Sequence, residues 1–208
     1  MPDSRNPSTL LVLGAGGHGR VVADAALAQG RWAQVRMADR DAARVGEEVL
    51  PGLRVEPLAE AVAASTQVHV AIGSAASRRR ECEAVGLPLA SVVHPHACVS
   101  AHAVLGDGCF VAAGAVVAPG ARLGTSVIVN HAAVVDHDVH VGDFSHVAPG
   151  VTLGGNVRVG ARVLVGAGAN VLPGVRIADD VVVGAGAVVR GDLDAPGTYA
   201  GVPARRVR

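Results

Sequence analysis

The sequence predicts a mixed fold, a small N-terminal α/β half-domain of Rossmann type followed by a parallel β-helix of hexapeptide repeats. Three observations carry this reading. First, stepping six residues at a time from Val93 lands on Val99, Leu105, Val111 and so on to Ile177, Val183 and Val189, seventeen consecutive Val, Leu or Ile with no insertion. A period of six fits neither a helix nor a simple alternating strand, and it is the signature of coils that bury their apolar rungs only by stacking. Second, 50% of the chain is hydrophobic, yet its only aromatic residues are Trp32, Phe110, Phe144 and Tyr199. A narrow prism filled by Val, Leu and Ala needs no large rings. Third, an apolar run, Thr9 to Leu13, leads directly into Gly14-Ala15-Gly16-Gly17-His18-Gly19.

Taken in order, residues 1–8 are polar with two prolines and read as a frayed tail. Residues 9–91 form the α/β domain. Thr9 to Leu13 is its first strand and a helix runs to about Gln29. Gln34 to Ala38 is the second strand, ending at Asp39, and Val68 to Ile72 is the third, ending in Gly73-Ser74. A helix from about Ala75 to Val85 follows, carrying Arg78, Arg79 and Arg80. Residues 92–190 are the solenoid, with three hexapeptides to a turn of about eighteen residues. Residues 191–208 leave the repeat as a C-terminal tail.

Composition removes several classes of function. Formal net charge is zero, which gives no support to a nucleic-acid or anionic-membrane surface. All eighteen basic residues are Arg, so a lysine Schiff base and a P-loop lysine are excluded. Three widely spaced cysteines, Cys82, Cys98 and Cys109, fit a reduced compartment better than a disulfide framework. No signal peptide and no apolar run of about 20 residues is evident, so a cytoplasmic location is expected.

Two stretches carry chemistry. In the glycine loop, backbone N–H groups at a helix N-terminus can meet a phosphate, because no side chain holds them away. The alternative is a tight strand-to-helix turn. Asp39 stands where an acid would reach a ribose or base edge. The domain is too short for a full dinucleotide fold, so a mononucleotide suits it better. Gly73 and the arginines after it offer a second phosphate contact, or the arginines form a solvated helix face. In the solenoid, Asn130, His131, Asp136, His137, Asp138, His140, Asp143, Ser145 and His146 fall within three hexapeptides. Such a concentration points to acid–base chemistry or metal binding. Asp136-His137-Asp138 is its sharpest feature, since flanking carboxylates hold an imidazole in one tautomer and make it more basic. An exposed turn histidine is the alternative.

These motifs, with the tail Tyr199-Ala-Gly-Val-Pro-Ala, resemble the left-handed β-helix acyltransferases. Within them the chain is similar to the sialic-acid O-acetyltransferase and nucleotide-amino-sugar N-acetyltransferase group, which includes the bacillosamine-pathway and perosamine enzymes. The resemblance spans about residues 9–206. It implies acetyl-CoA as co-substrate, no metal, a homotrimer, and transfer to the 4-amino group of a nucleotide-linked 4-amino-4,6-dideoxy sugar. By that likeness His137 is the general base with Asp138 beside it, and His146, Gly155 and Ala185 contact acetyl-CoA. Gly14, Gly17, His18, Gly19, Asp39, Gly73 and Arg78 would meet the nucleotide sugar. Two departures stand out: Asp138 replaces a glutamate, and Ala185 a glycine. Acetyl transfer to oxygen, a zinc-dependent hydratase of the same fold and a non-catalytic scaffold are the competing readings.

Overall fold

The computed structural model describes residues 8–207. The expected tail therefore lies, except for Ser8, outside the described residues. The chain divides into two compact units between Pro95 and His96.

The first unit is built on β1 (Thr9–Leu13), all five of whose residues are buried, as a central strand covered on both faces requires. It pairs in parallel with β2 (Gln34–Ala38) on one side. The helix α1 (Gly17–Gln29) joins the two and stops at Gly30, whose φ of 61° places it in the left-handed region. A hairpin follows, β3 (Glu48–Leu50) and β4 (Leu53–Glu56), which the strand reading did not anticipate. Its signal was Pro51-Gly52 between short apolar alternations. Then come α2 (Leu58–Ala63), β5 (Gln67–Val70), α3 (Ala75–Ala84) and β6 (Val92–Val93). The sheet order is β3-β4-β2-β1-β5. β1 thus lies between strands reached by crossovers on opposite sides, a topological switch point where open α/β sheets bind ligands beyond their carboxyl ends. Leu11, Leu13, Ala38, Ala61, Val68 and Val70 form one buried cluster of the core.

The second unit is a parallel β-helix with the predicted period. Two-residue strands recur every six positions and each pairs with the strand eighteen residues on, as in Val117↔Val135, Val135↔Leu153 and Leu153↔Val171. The rung residues point inward, with Val111, Val129, Val147 and Val165 fully buried. A second inward column, four residues after each rung, holds Ala115, Val127, Val139, Val151 and Val157, also fully buried. The corners follow the same count. A residue with positive φ recurs every six positions from Gly108 to Gly186, and among those that are not glycine are Ser126, Asp138, Phe144 and Asn156. The tail does not leave the stack. Leu193 bridges Ile177, and Gly197–Ala200 pairs in parallel with Val181–Val183 before Arg205–Arg206 turns back against it. Among the described residues no helix is long and apolar enough to cross a membrane.

His69 on β5 is 1% exposed, and its Nδ1 donates to the Ala90 carbonyl 2.9 Å away. Burial, opposed in part by that bond, lowers its pKa from 6.5 to about 4. The folded chain therefore holds it neutral, and protons bind preferentially to the unfolded chain. Its stabilising effect is complete above pH 6.5 and is lost as pH falls toward 4. We expect unfolding free energy to drop by roughly 3 kcal/mol across that window from this residue. Denaturant titrations should show a His69→Asn variant, which keeps a donor but cannot titrate, to be less stable at pH 7 and flatter toward acid.

Candidate functional site

The glycine loop joins β1 to α1 at the carboxyl end of the sheet, beside the loops that follow β2 and β5. Together they line a cavity of about 480 Å³ that includes Gly14, Gly16, Gly17, His18, Asp39, Gly73, Ser77, Arg80 and Glu81. Its volume suits a mononucleotide-sized ligand. Gly14 has a φ of 114°, and a Cβ there would lie 2.8 Å from the Ala71 carbonyl oxygen. Gly17 opens α1 with nothing within 4 Å of a Cβ position, which leaves the helix N-terminus bare to solvent. Asp39 is committed in part to the loop itself. One carboxylate oxygen accepts from Ala15 N–H at 2.7 Å, the other from Asp41 N–H at 3.0 Å.

Two of the residues expected to meet a ligand do other work. Gly19 is buried and does not line the cavity. A Cβ on it would lie 1.8 Å from the Gly14 carbonyl oxygen, so glycine here permits the helix to close on the strand. Arg78 is 1% exposed and also absent from the cavity wall. One guanidinium nitrogen donates to the carbonyls of Ile72 and Gly73 at 2.8 and 2.9 Å, bracing the loop after β5. It is not a solvated arginine, and its guanidinium lies behind the cavity wall and not on it. The cations on the cavity are instead Arg40, Arg44 and Arg80. Arg40 donates to Glu81, which is 5% exposed, and Arg44 approaches Asp39 at 3.6 Å. Neither Arg40 nor Arg44 was singled out in the sequence, where only their closeness to Asp39 marked them.

In the solenoid, the six-residue count distributes the polar segment over different faces. Asp136, His137 and Asp138 occupy the corner after the Val134–Val135 strand, and His140 and His146 begin the next two strands, each in a different sheet. Ser145 falls on the second inward column. Fully buried, it donates to the Gly160 carbonyl and accepts from Val163 N–H, so its hydroxyl is structural. Asp143 likewise accepts from Thr125 N–H at 2.7 Å. Among the described residues no group of three His, Cys, Asp or Glu converges as a metal site would need.

His137 is exposed, and its ring is oriented. Nδ1 lies 2.9 Å from Asp138 Oδ2, and because a carboxylate only accepts, Nδ1 carries the proton and Nε2 holds the lone pair. Asp138 has a φ of 58°, the left-handed corner position where aspartate is tolerated. Asp136 accepts from His137 N–H at 2.7 Å. The hydrogen bond to Asp138 first, and the charge of Asp136 second, hold the imidazole pKa above its ordinary value. His146 differs. Asn130 uses Oδ1 to accept from His131 N–H, which turns its Nδ2 toward His146 Nε2 at 3.1 Å. That nitrogen accepts, so it carries no proton there. The N–H groups of Gly155 and Ala185, both at corners, donate to no group among the described residues.

One unit thus holds a cavity of mononucleotide size and the other, a hexapeptide solenoid, an oriented His–Asp pair. The PglD N-terminal domain family matches residues 9–85, and the bacterial transferase hexapeptide family matches residues 156–191. The chain belongs to the hexapeptide-repeat acetyltransferases, in the group that carries this N-terminal domain. It is 37% identical to the acetyltransferase domain of PglB from Neisseria gonorrhoeae FA1090 in complex with acetyl coenzyme A, over 97% of this chain and 100% of that one, with a TM-score of 0.90. It is 34% identical to PerB from Caulobacter crescentus in complex with CoA and GDP-perosamine, over 96% of each chain, with a TM-score of 0.86. A histidine-to-alanine variant of the Caulobacter GDP-perosamine N-acetyltransferase, bound to CoA and GDP-perosamine, matches at 34% identity and a TM-score of 0.87. No curated protein sequence matches.

The two glycines Gly16 and Gly19 separate packing from ligand contact. Gly19→Ala should lower the melting temperature of the first unit sharply, because its Cβ meets backbone. Gly16→Ala, whose Cβ meets nothing, should change stability by less than about 1 kcal/mol. Calorimetry on both variants checks this.

Proposed function

We propose that this protein transfers the acetyl group of acetyl-CoA to the 4-amino group of a nucleotide-linked 4-amino-4,6-dideoxy sugar. The observation that carries the reading is the oriented His137–Asp138 pair, exposed on a solenoid whose chain also holds a phosphate-loop cavity. The relatives bound to acetyl coenzyme A and to GDP-perosamine support the same pair of ligands.

In this reading acetyl-CoA supplies an activated thioester carbonyl, and the chain supplies proton transfer and positioning. Nε2 of His137 removes a proton from the amine as that nitrogen bonds to the carbonyl carbon. Asp138 keeps Nδ1 protonated and steadies the imidazolium that forms. Asp136, through the His137 N–H, fixes the backbone of the corner. The carbonyl carbon–sulfur bond then breaks, the imidazolium gives its proton to the departing sulfur, and the amide and the free thiol of CoA are the products. The bare N–H groups of Gly155 and Ala185 and the half-buried His146 are donors and walls suited to the coenzyme. Gly14, Gly17, His18, Asp39 and Gly73 line the site for the nucleotide, with Gly19 and Arg78 shaping it from behind. The His137 side chain is 56% exposed on its own solenoid, and in this reading the enzyme works as a homotrimer in which a neighbouring solenoid completes each site. The cytoplasm, where acetyl-CoA and nucleotide sugars are made, is its place of action.

Thiol release from acetyl-CoA should accelerate on adding a UDP-, GDP- or dTDP-linked 4-amino sugar. His137→Ala should lower kcat by about 10²- to 10⁴-fold. Full activity in that variant would remove His137 from the chemistry. The acid limb of the wild-type pH–rate profile should lie above the ordinary histidine range, because the pKa of His137 is raised. Asp138→Asn should move that limb to lower pH and reduce kcat.

A further inference from the structure

The corner that bears His137 has a vertical neighbour on each side in the stack. One coil on, eighteen residues along, is Gly155. An ideal Cβ built there would lie 2.4 Å from His137 Nε2 and 2.6 Å from Cε1, and all three of its nearest atoms belong to the imidazole ring. One coil back from Asp138 is Gly120, where a Cβ would lie 2.4 Å from Asp138 Oδ1. The ring and its carboxylate therefore occupy the space that a side chain at either glycine would need. Real Cβ atoms do not come so close, so a methyl group at either corner would displace the pair.

The two glycines are not equivalent. Gly120 has a φ of 77°, so a substitution there is strained for reasons unrelated to Asp138. Gly155 has no such restriction on its backbone. Its neighbouring bonds are ordinary coil contacts, Asn156 N–H to the His137 carbonyl and Gly174 N–H to the Gly155 carbonyl, and a side chain would not alter either. What a methyl group would move is an exposed ring, free to swing away at little cost in stability.

We propose that Gly155 is a positioning residue for the acetyl-transfer base: its missing side chain holds open the volume in which the His137 ring lies with Nδ1 on Asp138 and Nε2 bare. This rests on the reading of His137 as the base and adds a requirement on the coil above it. The charges that act on the ring are Asp138 and Asp136. The facing corners, Pro119-Gly120 below and Gly155-Asn156 above, contain no titratable side chain. A pH effect of a substitution at Gly155 must then pass through the geometry of the pair.

The test is Gly155→Ala in the full chain, with Gly191→Ala as control, since a Cβ at Gly191 meets nothing within 4 Å. Four quantities are read: melting temperature, kcat and KM for acetyl-CoA and amino sugar, the acid limb of the pH–rate profile, and the His137 imidazole pKa by NMR. We expect Gly155→Ala to keep the wild-type melting temperature and lower kcat by about 10- to 100-fold. The imidazole pKa should fall toward that of an ordinary histidine. Adding Asp138→Asn should cost little more, because both changes break one contact. A Gly155→Ala enzyme with wild-type kcat and wild-type imidazole pKa overturns the proposal. So does a loss confined to KM for acetyl-CoA with the pKa unmoved, which would make Gly155 a coenzyme contact only. A lowered imidazole pKa with unchanged kcat supports the positioning role and overturns His137 as base instead.

Discussion

The structure depends on one constraint, the register between successive coils of the solenoid. Each two-residue strand has too few residues to satisfy its own backbone, so its N–H and C=O groups pair with the coil before or after it, as Val134 N–H does with the Val151 carbonyl. From Cys98 to Val189 that pairing keeps one spacing, eighteen residues, as in Val117↔Val135 and Val135↔Leu153, and only the last coil shortens it to sixteen. The apolar columns repay the constraint, since Val135, Leu153 and Val171 are buried only when stacked on one another.

The same register determines what each polar residue can do. A side chain at a corner meets its own corner, as His137 meets Asp138, and the corners about eighteen residues away, as Arg162 meets Asp180. That is why residues crowded together in the chain have unlike roles. His137 stands at a corner with its own carboxylate. His140 lies between Arg122 and Arg158 on one face, and His146 beside Asn130 on another. Ser145 has turned inside, where its hydroxyl bridges two coils. Vertical neighbours also bear on the composition of the corners, because a Cβ at several of their glycines would meet atoms of the next coil. At Gly124 and Gly160 those atoms include the backbone of Asp143 and Asp179, whereas at Gly155 all three nearest belong to the His137 ring.

The α/β unit solves a different problem, which is holding a polar cavity on an apolar sheet. Parallel strands bring the loops after β1, β2 and β5 to one edge, and the bare start of α1 adds a favourable end for an anion. The cavity is kept open by buried charge that is fully engaged. Arg78 braces the carbonyls of the loop after β5, while Glu81 anchors Arg40 and lies near Arg80. Removing one partner of such an arrangement leaves the other buried and uncompensated, and of these residues Arg78 alone lies off the cavity wall.

The solenoid was legible in the sequence because its rule is local arithmetic: a period of six is visible without knowing what stacks on what. The strand before the glycine loop was legible for a similar reason, its five apolar residues in a row. The His137–Asp138 pair could be read because its members are adjacent in the chain. Other features were not legible, and each depends on partners far apart in sequence. The tail looked like departure from the repeat, yet it continues the stack at a spacing of sixteen, as Val183↔Tyr199 shows. Arg78 looked like a member of a surface cluster, but one turn of α3 sends it inward and its neighbours Arg79 and Arg80 outward. The void at Gly155 is defined only by a ring one coil away. A sequence states which side chains exist and the period at which they recur. Which of them share a volume is decided when the chain is folded, because packing excludes overlap between atoms and not between positions in a chain.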